Sequence, residues 1–251
     1  MIPGIVPFPS YDWKPRTSTL ALRPGEVHIW RWQLDQQRDN IQNLCHYLDQ
    51  EEVRRAQRFR FCRDRERFIA AHGMVRVILG GYLDIPPAHL EFDYGPFGKP
   101  ELDPRACPNP LSFNVSHSDG LALLAATAEA QVGIDVERLK LDLTYEEIAE
   151  RFFSPREITM LRELPVEMRA EAFFHGWTRK EAYVKARGYG LSFPFDRFTV
   201  SVDPDAAELL DVIDDPQDRE RWYLHSLGAG AGYVAALAVE QAESTILYRD
   251  A

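Results

Sequence analysis

The stretch VGIDVERL, residues 132–139, decides how the chain folds and what it can hold. It reads as a strand, in which successive side chains take opposite faces. Val132, Ile134 and Val136 therefore point one way, and Gly133, Asp135 and Glu137 the other. Two carboxylates at i and i+2 lie roughly 7 Å apart at about 3.3 Å per residue. Like charges that close repel unless a cation lies between or beside them. Oxygen ligands without a nearby His or Cys suit magnesium, which keeps several waters and adds substrate phosphates. An exposed edge strand with two solvated acids is the other reading of the same pattern.

Downstream, FFHGWTRKEAYVKARGYG (173–190) reads as a helix with no proline and a stop at Gly188. At about 100° per residue, Phe173, Phe174, Trp177 and Val184 share one apolar stripe. Glu181 falls inside that stripe and Lys185 at its edge. A buried ionised carboxylate is costly unless paired or metal-bound. Either Glu181 pairs with Arg179 or Lys185, or it joins Asp135 and Glu137 in a three-carboxylate magnesium site. The three acids taken together favour the second. Upstream, FNVSHS (113–118) puts Phe113 and Val115 toward a core, Asn114 and Ser116 on the other face, and His117 at the strand end. A hydroxyl there could donate to a phosphate. A serine hydrolase needs an elbow of the G-x-S-x-G type, which this chain lacks. GKP (98–100) presents Lys99 in a tight turn.

Further out, five prolines mark the first 25 residues as irregular. EVHIWRW (26–32) alternates like a strand, and helices are expected over 50–60 and over 62–82, ending at Gly80-Gly81. LALLAATA (121–128) follows the FNVSHS strand. Helices are expected near 144–151, 155–163 and 167–188, then strands at FTVSV, RWYLHSL and GYVAALAVE, interrupted by an acidic loop over 203–218. VHIW, RAQRFRF and RERFIAAHGMVR are echoed by VGID, AERFFS and RKEAYVKARG. The expectation is an α+β pseudo-dimer of two similar halves, residues 1–130 and 131–251, with the site at the seam.

The 251 residues carry a formal net charge of −10, which argues against nucleic-acid binding. Within that acidic chain, residues 51–76 hold eight arginines against four acids, a segment suited to a small phosphorylated ligand or an acidic partner. Cys45, Cys62 and Cys107 match no zinc or disulfide spacing. With no signal-like start and no apolar run approaching about 20 residues, a cytoplasmic protein without membrane segments is expected.

The set YGPFGKPEL, FNVSHS, VGIDVE, RFFSPRE and FFHGWTRKEAYVKARGYGLS, in that order and at these spacings, resembles the surfactin-type 4′-phosphopantetheinyl transferases over about residues 50–200. The pairing of G-I-D-V-E with W-x-x-K-E-A-Y-x-K is the specific part. The resemblance implies magnesium-dependent transfer of phosphopantetheine from coenzyme A to a serine of an apo acyl or peptidyl carrier protein, with release of 3′,5′-ADP. It implies Asp135, Glu137 and Glu181 as magnesium ligands, and Ser116 and His117 on the phosphates of coenzyme A. It also places Lys99 near the adenosine end, Arg67 on the 3′-phosphate with Arg55 as a neighbour, and Lys180 as a supporting cation. Lys185 would neutralise the departing phosphate; Glu181, Lys185 and His117 are the residues implied in catalysis. Either Glu181 or a hydroxide at the metal would accept the serine proton. Some relatives carry lysines where this chain has Glu51-Glu52-Val53-Arg54-Arg55, a departure at the adenine end. A monomer is expected from the chain length typical of the family. The alternatives are a magnesium-dependent phosphodiesterase acting on coenzyme A or nucleotides, and a coenzyme A- or carrier-binding protein without turnover.

Overall fold

The computed structural model describes residues 14–15, 20–103, 105, 111–140, 144–190 and 193–251. Cys107, most of the proline-rich start and the Leu-Ser at 191–192 fall outside them. The first half comprises β1 (Lys14–Pro15), β2 (Glu26–Gln33), α1 (Ile41–Tyr47), α2 (Gln50–Gln57), α3 (Cys62–Leu83), the short pair β3 (Phe92–Tyr94) and β4 (Pro100–Leu102), then β5 (Ser112–Ser118) and β6 (Leu121–Thr127). The second comprises β7 (Val132–Arg138), α4 (Tyr145–Phe152), α5 (Pro155–Glu163), α6 (Val166–Ala186), β8 (Phe198–Val200), β9 (Leu209–Val212), α7 (Asp218–Arg221), β10 (Tyr223–Leu227), β11 (Tyr233–Val239) and β12 (Thr245–Asp250).

The same topology occurs twice. In the first half β2 pairs with β6, which pairs with β5; in the second β7 pairs with β11, which pairs with β10, all antiparallel. Each first strand leads into one long helix, α3 or α6, before the hairpin returns. The last strand breaks the expected boundary: β12 crosses back and pairs in parallel with β2, so the C-terminal end of the chain completes the first sheet. Within the acidic 203–218 region the structure adds β9 and the start of α7, which the sequence reading took as loop.

Strand periodicity sorts the core into layers. On β6, Ala122, Leu124 and Ala126 join Trp30 and Trp32 in the core beneath α3. Its alternate residues Leu121, Leu123 and Ala125 meet Val132, Ile134 and Val136 of β7 in the core between the two sheets. Both faces are buried, which is why LALLAAT is continuously apolar. Helix α3 runs past the expected glycine stop. Gly80 lies inside it against the Ile85 carbonyl, and the helix ends at Leu83 before the left-handed Asp84 (φ 55°).

On the outer face of the second sheet, Ala236 and Ala238 of β11 pack with Ala182, Tyr183, Val184 and Ala186 of α6. Gly133 makes the close approach possible. A Cβ there would sit 2.1 Å from the Ala182 carbonyl oxygen and 2.3 Å from the Ala186 nitrogen, both backbone atoms that cannot swing aside. Gly133→Ala should therefore push α6 off β7, costing about 3 kcal/mol or more by overpacking. Urea denaturation measures it; a variant within about 0.5 kcal/mol of the parent would contradict this close packing.

Strand β5, the edge of the first sheet, lies against β7, the edge of the second, joined by side chains in place of a backbone ladder. Asn114 Oδ1 accepts from the Ile134 N–H at 2.9 Å, Ser116 Oγ from Val136 N–H at 3.4 Å and Ser118 Oγ from Arg138 N–H at 3.1 Å. Three residues at i, i+2 and i+4 thus supply three acceptors to the seam between the halves.

Candidate active site

The seam carries the acids. Ser116 Oγ donates to Asp135 Oδ1 at 2.8 Å, and Ser118 Oγ to Glu137 Oε2 at 2.7 Å. Lys185, from the last turn of α6, donates to the same Asp135 Oδ1 at 2.6 Å and to Ser116 Oγ at 3.1 Å. The other carboxylate oxygen, Asp135 Oδ2, is buried without a hydrogen-bond partner among the described residues.

Glu181, one turn before Lys185, is buried and has no hydrogen-bond or ion-pair partner among the described residues. Burial, then the charges of Asp135 and Glu137, push its pKa up to about 7 against the opposing pull of Lys185. Burial and Asp135 likewise raise Glu137. Burial pulls the Lys185 ammonium down, but Asp135, Glu181 and Glu137 outweigh it and leave it raised and charged. Three carboxylates and one ammonium thus share a small volume with an excess of negative charge. No group of three His, Cys, Asp or Glu side chains stands at metal-ligand spacing among the described residues. The donor set nevertheless fits a hard divalent cation. Its donors are all oxygen, one buried oxygen is unpartnered, and burial and the neighbouring carboxylates raise two of the acids.

The expected apolar stripe on α6 is too narrow a description. His175, Thr178, Arg179 and Lys180 are buried as well as Phe173, Phe174 and Val184, so the helix is enclosed on nearly every side. Arg179 turns away from Glu181 to the carbonyls of Ser201 (2.8 Å) and Pro204 (3.3 Å). Glu181 stands out because it faces the acids of β7, not because its stripe is apolar.

A cavity of about 390 Å³ opens beside the acids. Phe113, Val115, Ser116 and His117 of β5 form its floor, and Ala71, His72 and Val75 of α3 a wall. Arg55 and Lys185 also line it. His117 keeps an exposed edge; its enclosure and the Lys185 charge lower its pKa, so the ring is neutral near pH 7.

Three expected site residues lie elsewhere. Lys180 is fully buried and donates to both oxygens of Glu157 at 2.7 and 2.8 Å and to the Phe198 carbonyl at 2.7 Å. It is a structural cation, not a supporting one. Burial lowers Lys180 and raises Glu157, and their mutual bonds offset that cost. Arg67 is clasped by Asp35 (2.8 and 2.6 Å) and Asp119 (2.8 Å) and is not among the residues that line the cavity. Lys99 points to the opposite side of the β3–β4 turn. Its ammonium reaches the carbonyls of Val132 and Ala186 and lines a second recess of about 270 Å³.

The Lys180–Glu157 pair has a counterpart that sequence reading overlooked. Glu52 closes the capping box of α2 with Asp49 and takes the buried Arg76 guanidinium of α3 at 2.8 Å. Glu157 closes the capping box of α5 with Ser154 and takes Lys180 of α6. The signal was present as D-x-x-E and S-x-x-E, each followed 24 or 23 residues later by a cation on the long helix. Lys180→Met should cost about 3–5 kcal/mol by stranding Glu157. Pairing it with Glu157→Leu should recover most of that loss, with turnover of the folded enzyme unchanged. Denaturation curves and initial rates read the two effects separately, and a turnover defect in the paired variant would restore Lys180 to the site.

Comparison with known proteins gives the same assignment. Residues 131–238 match the 4′-phosphopantetheinyl transferase superfamily, and residues 31–129 the 4′-phosphopantetheinyl transferase N-terminal family. The chain is 41% identical to 4′-phosphopantetheinyl transferase HetI of Nostoc over 91% of its length and 94% of that protein's. It is 35% identical to a putative 4′-phosphopantetheinyl transferase of Synechocystis, over 80% of this chain and 84% of that one. With 4′-phosphopantetheinyl transferase psf-1 of Bacillus pumilus it shares 35% identity over 70% of this chain and 73% of that protein. Two matched family regions, one on each topological half, and a carboxylate–lysine cluster where the halves meet make this chain a member of the 4′-phosphopantetheinyl transferase superfamily.

Proposed function

We propose that the protein transfers the 4′-phosphopantetheine group of coenzyme A to a serine of an apo carrier protein, with magnesium held by Asp135, Glu137 and Glu181. The observation that carries this reading is the cluster of three acids around Lys185, which lines the cavity. Bound magnesium would supply positive charge to the pyrophosphate of coenzyme A.

The residues of the chain then have distinct tasks. The carrier serine oxygen bonds to the phosphorus that bears the pantetheine arm, and the bond from that phosphorus to the bridging oxygen breaks. The arm is left as a serine phosphodiester, and 3′,5′-ADP departs with the bridging oxygen. Lys185, 29% exposed, spends two donors on Asp135 and Ser116 and can turn the third toward the leaving phosphate. Charge stabilisation of this kind is the main protein contribution to phosphoryl transfer. Glu181 would take the proton released by the serine. Neutral His117 and Arg55 border the space available to the phosphates.

Intact-mass spectrometry of an apo carrier protein incubated with the protein, coenzyme A and magnesium tests the proposal. The expected gain is one phosphopantetheine unit per carrier, absent in EDTA. Consumption of coenzyme A without that gain would replace transfer by phosphodiester hydrolysis.

A further inference from the structure

Of the residues lining the cavity, His72 has no part in the chemistry above. It sits half-buried in the middle of α3, between the buried Ala71 and Gly73. Its ring stacks on Phe68, with centroids 3.9 Å apart, and its Nδ1 lies 3.0 Å from the Phe68 carbonyl oxygen. A carbonyl can only accept, so Nδ1 carries the proton and donates. In the neutral ring the lone pair is then on Nε2. The ring is neutral: burial, aided by Arg55, His117 and Arg76, lowers its pKa to about 4 against the opposing pull of the Phe68 carbonyl. Nε2 has no protein partner among the described residues, while the ring borders the cavity.

The cavity around it suits a flat heterocycle. Phe92 and Phe113, with ring centroids 5.7 Å apart, line it together with Tyr94, Val75 and Ala71. Arg55, Lys185 and His117 share the lining, and their guanidinium, ammonium and imidazole groups would hold the phosphates. A cavity of about 390 Å³ is at the small end for ligand sites, enough for the nucleotide end of coenzyme A. Aromatic walls alone would stack any base with little discrimination. A fixed acceptor among them discriminates, because a buried polar group left unpaired penalises a ligand without the matching donor.

We propose that His72 is a specificity-determining residue, whose Nε2 accepts a hydrogen bond from the exocyclic amino group of the purine of coenzyme A. This rests on the transfer reading above. It predicts a preference for a 6-amino purine over a purine bare at that position, held by one side chain that touches neither the acids nor the pyrophosphate.

The test is calorimetric binding of adenosine 3′,5′-bisphosphate and of the 3′,5′-bisphosphate of unsubstituted purine riboside, alongside transfer kinetics with coenzyme A. The parent protein should bind the amino compound about tenfold more tightly. His72→Leu should bind the two equally, raising KM for coenzyme A about tenfold with kcat unchanged. His72→Gln, whose side-chain oxygen can accept, should recover part of the preference. Equal binding by the parent, or a preference that survives in His72→Leu, overturns the assignment. Binding is read without turnover, so the two ideas separate. A protein that prefers the amino compound but modifies no carrier keeps the His72 assignment and loses the transfer reading. One that modifies carriers without the preference does the reverse.

Discussion

Asp135→Ala lowers the rate of phosphopantetheine transfer by about a thousandfold or more, while the circular dichroism spectrum of the protein is unchanged. Asp135 is the acid of the cluster that is bonded to both Ser116 and Lys185. Its Oδ1 receives Ser116 and Lys185, and its buried Oδ2 is left for a cation. Removing it takes away a proposed magnesium ligand and the anchor that aims Lys185, so two sources of transition-state charge stabilisation fail together. The fold survives because the partner left behind is not trapped. Lys185 is 29% exposed and can turn its ammonium to water, unlike the fully enclosed Lys180. The stability cost should therefore stay below the roughly 3–5 kcal/mol expected when a wholly buried pair is broken. Time courses of carrier mass read the rate. A variant retaining more than a tenth of the parent rate would remove Asp135 from the metal site.

How much of this was legible in advance depends on whether a residue's role is local. The strand alternation of VGIDVE placed Asp135 and Glu137 on the face turned to α6, because a period of two is a property of the strand itself. The doubled strand–helix–hairpin pattern was visible as VHIW and VGID, which begin the two halves at β2 and β7. The return of β12 to the first sheet was not visible, since nothing in TILYRD specifies which edge it will find. The cations were hardest to read. Arg67, Lys99, Lys180 and Lys185 all have long flexible stems, and their placement depends on where their partners lie in three dimensions. Asp35 and Asp119 capture Arg67 from 32 and 52 residues away. Lys180 was the exception that local chemistry could have resolved, through the S-x-x-E capping box that buries Glu157 beneath it. The same box in the first half explains Glu52. Its carboxylate is committed to the helix cap and to Arg76, and Arg55 is the nearby cation that lines the cavity.

Glu181→Gln should abolish transfer and yet make the metal-free protein more stable above neutral pH. The folded state raises the Glu181 pKa from 4.5 to about 7, so between those values the folded protein holds a proton that the unfolded chain has released. A group that binds protons more tightly in the folded state favours folding at low pH and loses that advantage as the pH rises. In EDTA, the parent protein should therefore lose stability from about pH 4.5 upward, with the full penalty reached above about pH 7. At about 1.4 kcal/mol per pKa unit the difference approaches about 3 kcal/mol. Glutamine keeps the shape and has no proton to lose, so it is spared the repulsion from Asp135 and Glu137. The melting temperature of the variant should exceed that of the parent by roughly 5–10 °C at pH 8 and match it near pH 5. Magnesium should raise the parent's melting temperature at pH 8 and leave the variant's nearly unmoved, because the cation relieves the same repulsion that the substitution removes. Equal melting temperatures at pH 8 in EDTA would mean that Glu181 is not strained by its neighbours. The stability sacrificed at this position would then have no connection to the proposed magnesium.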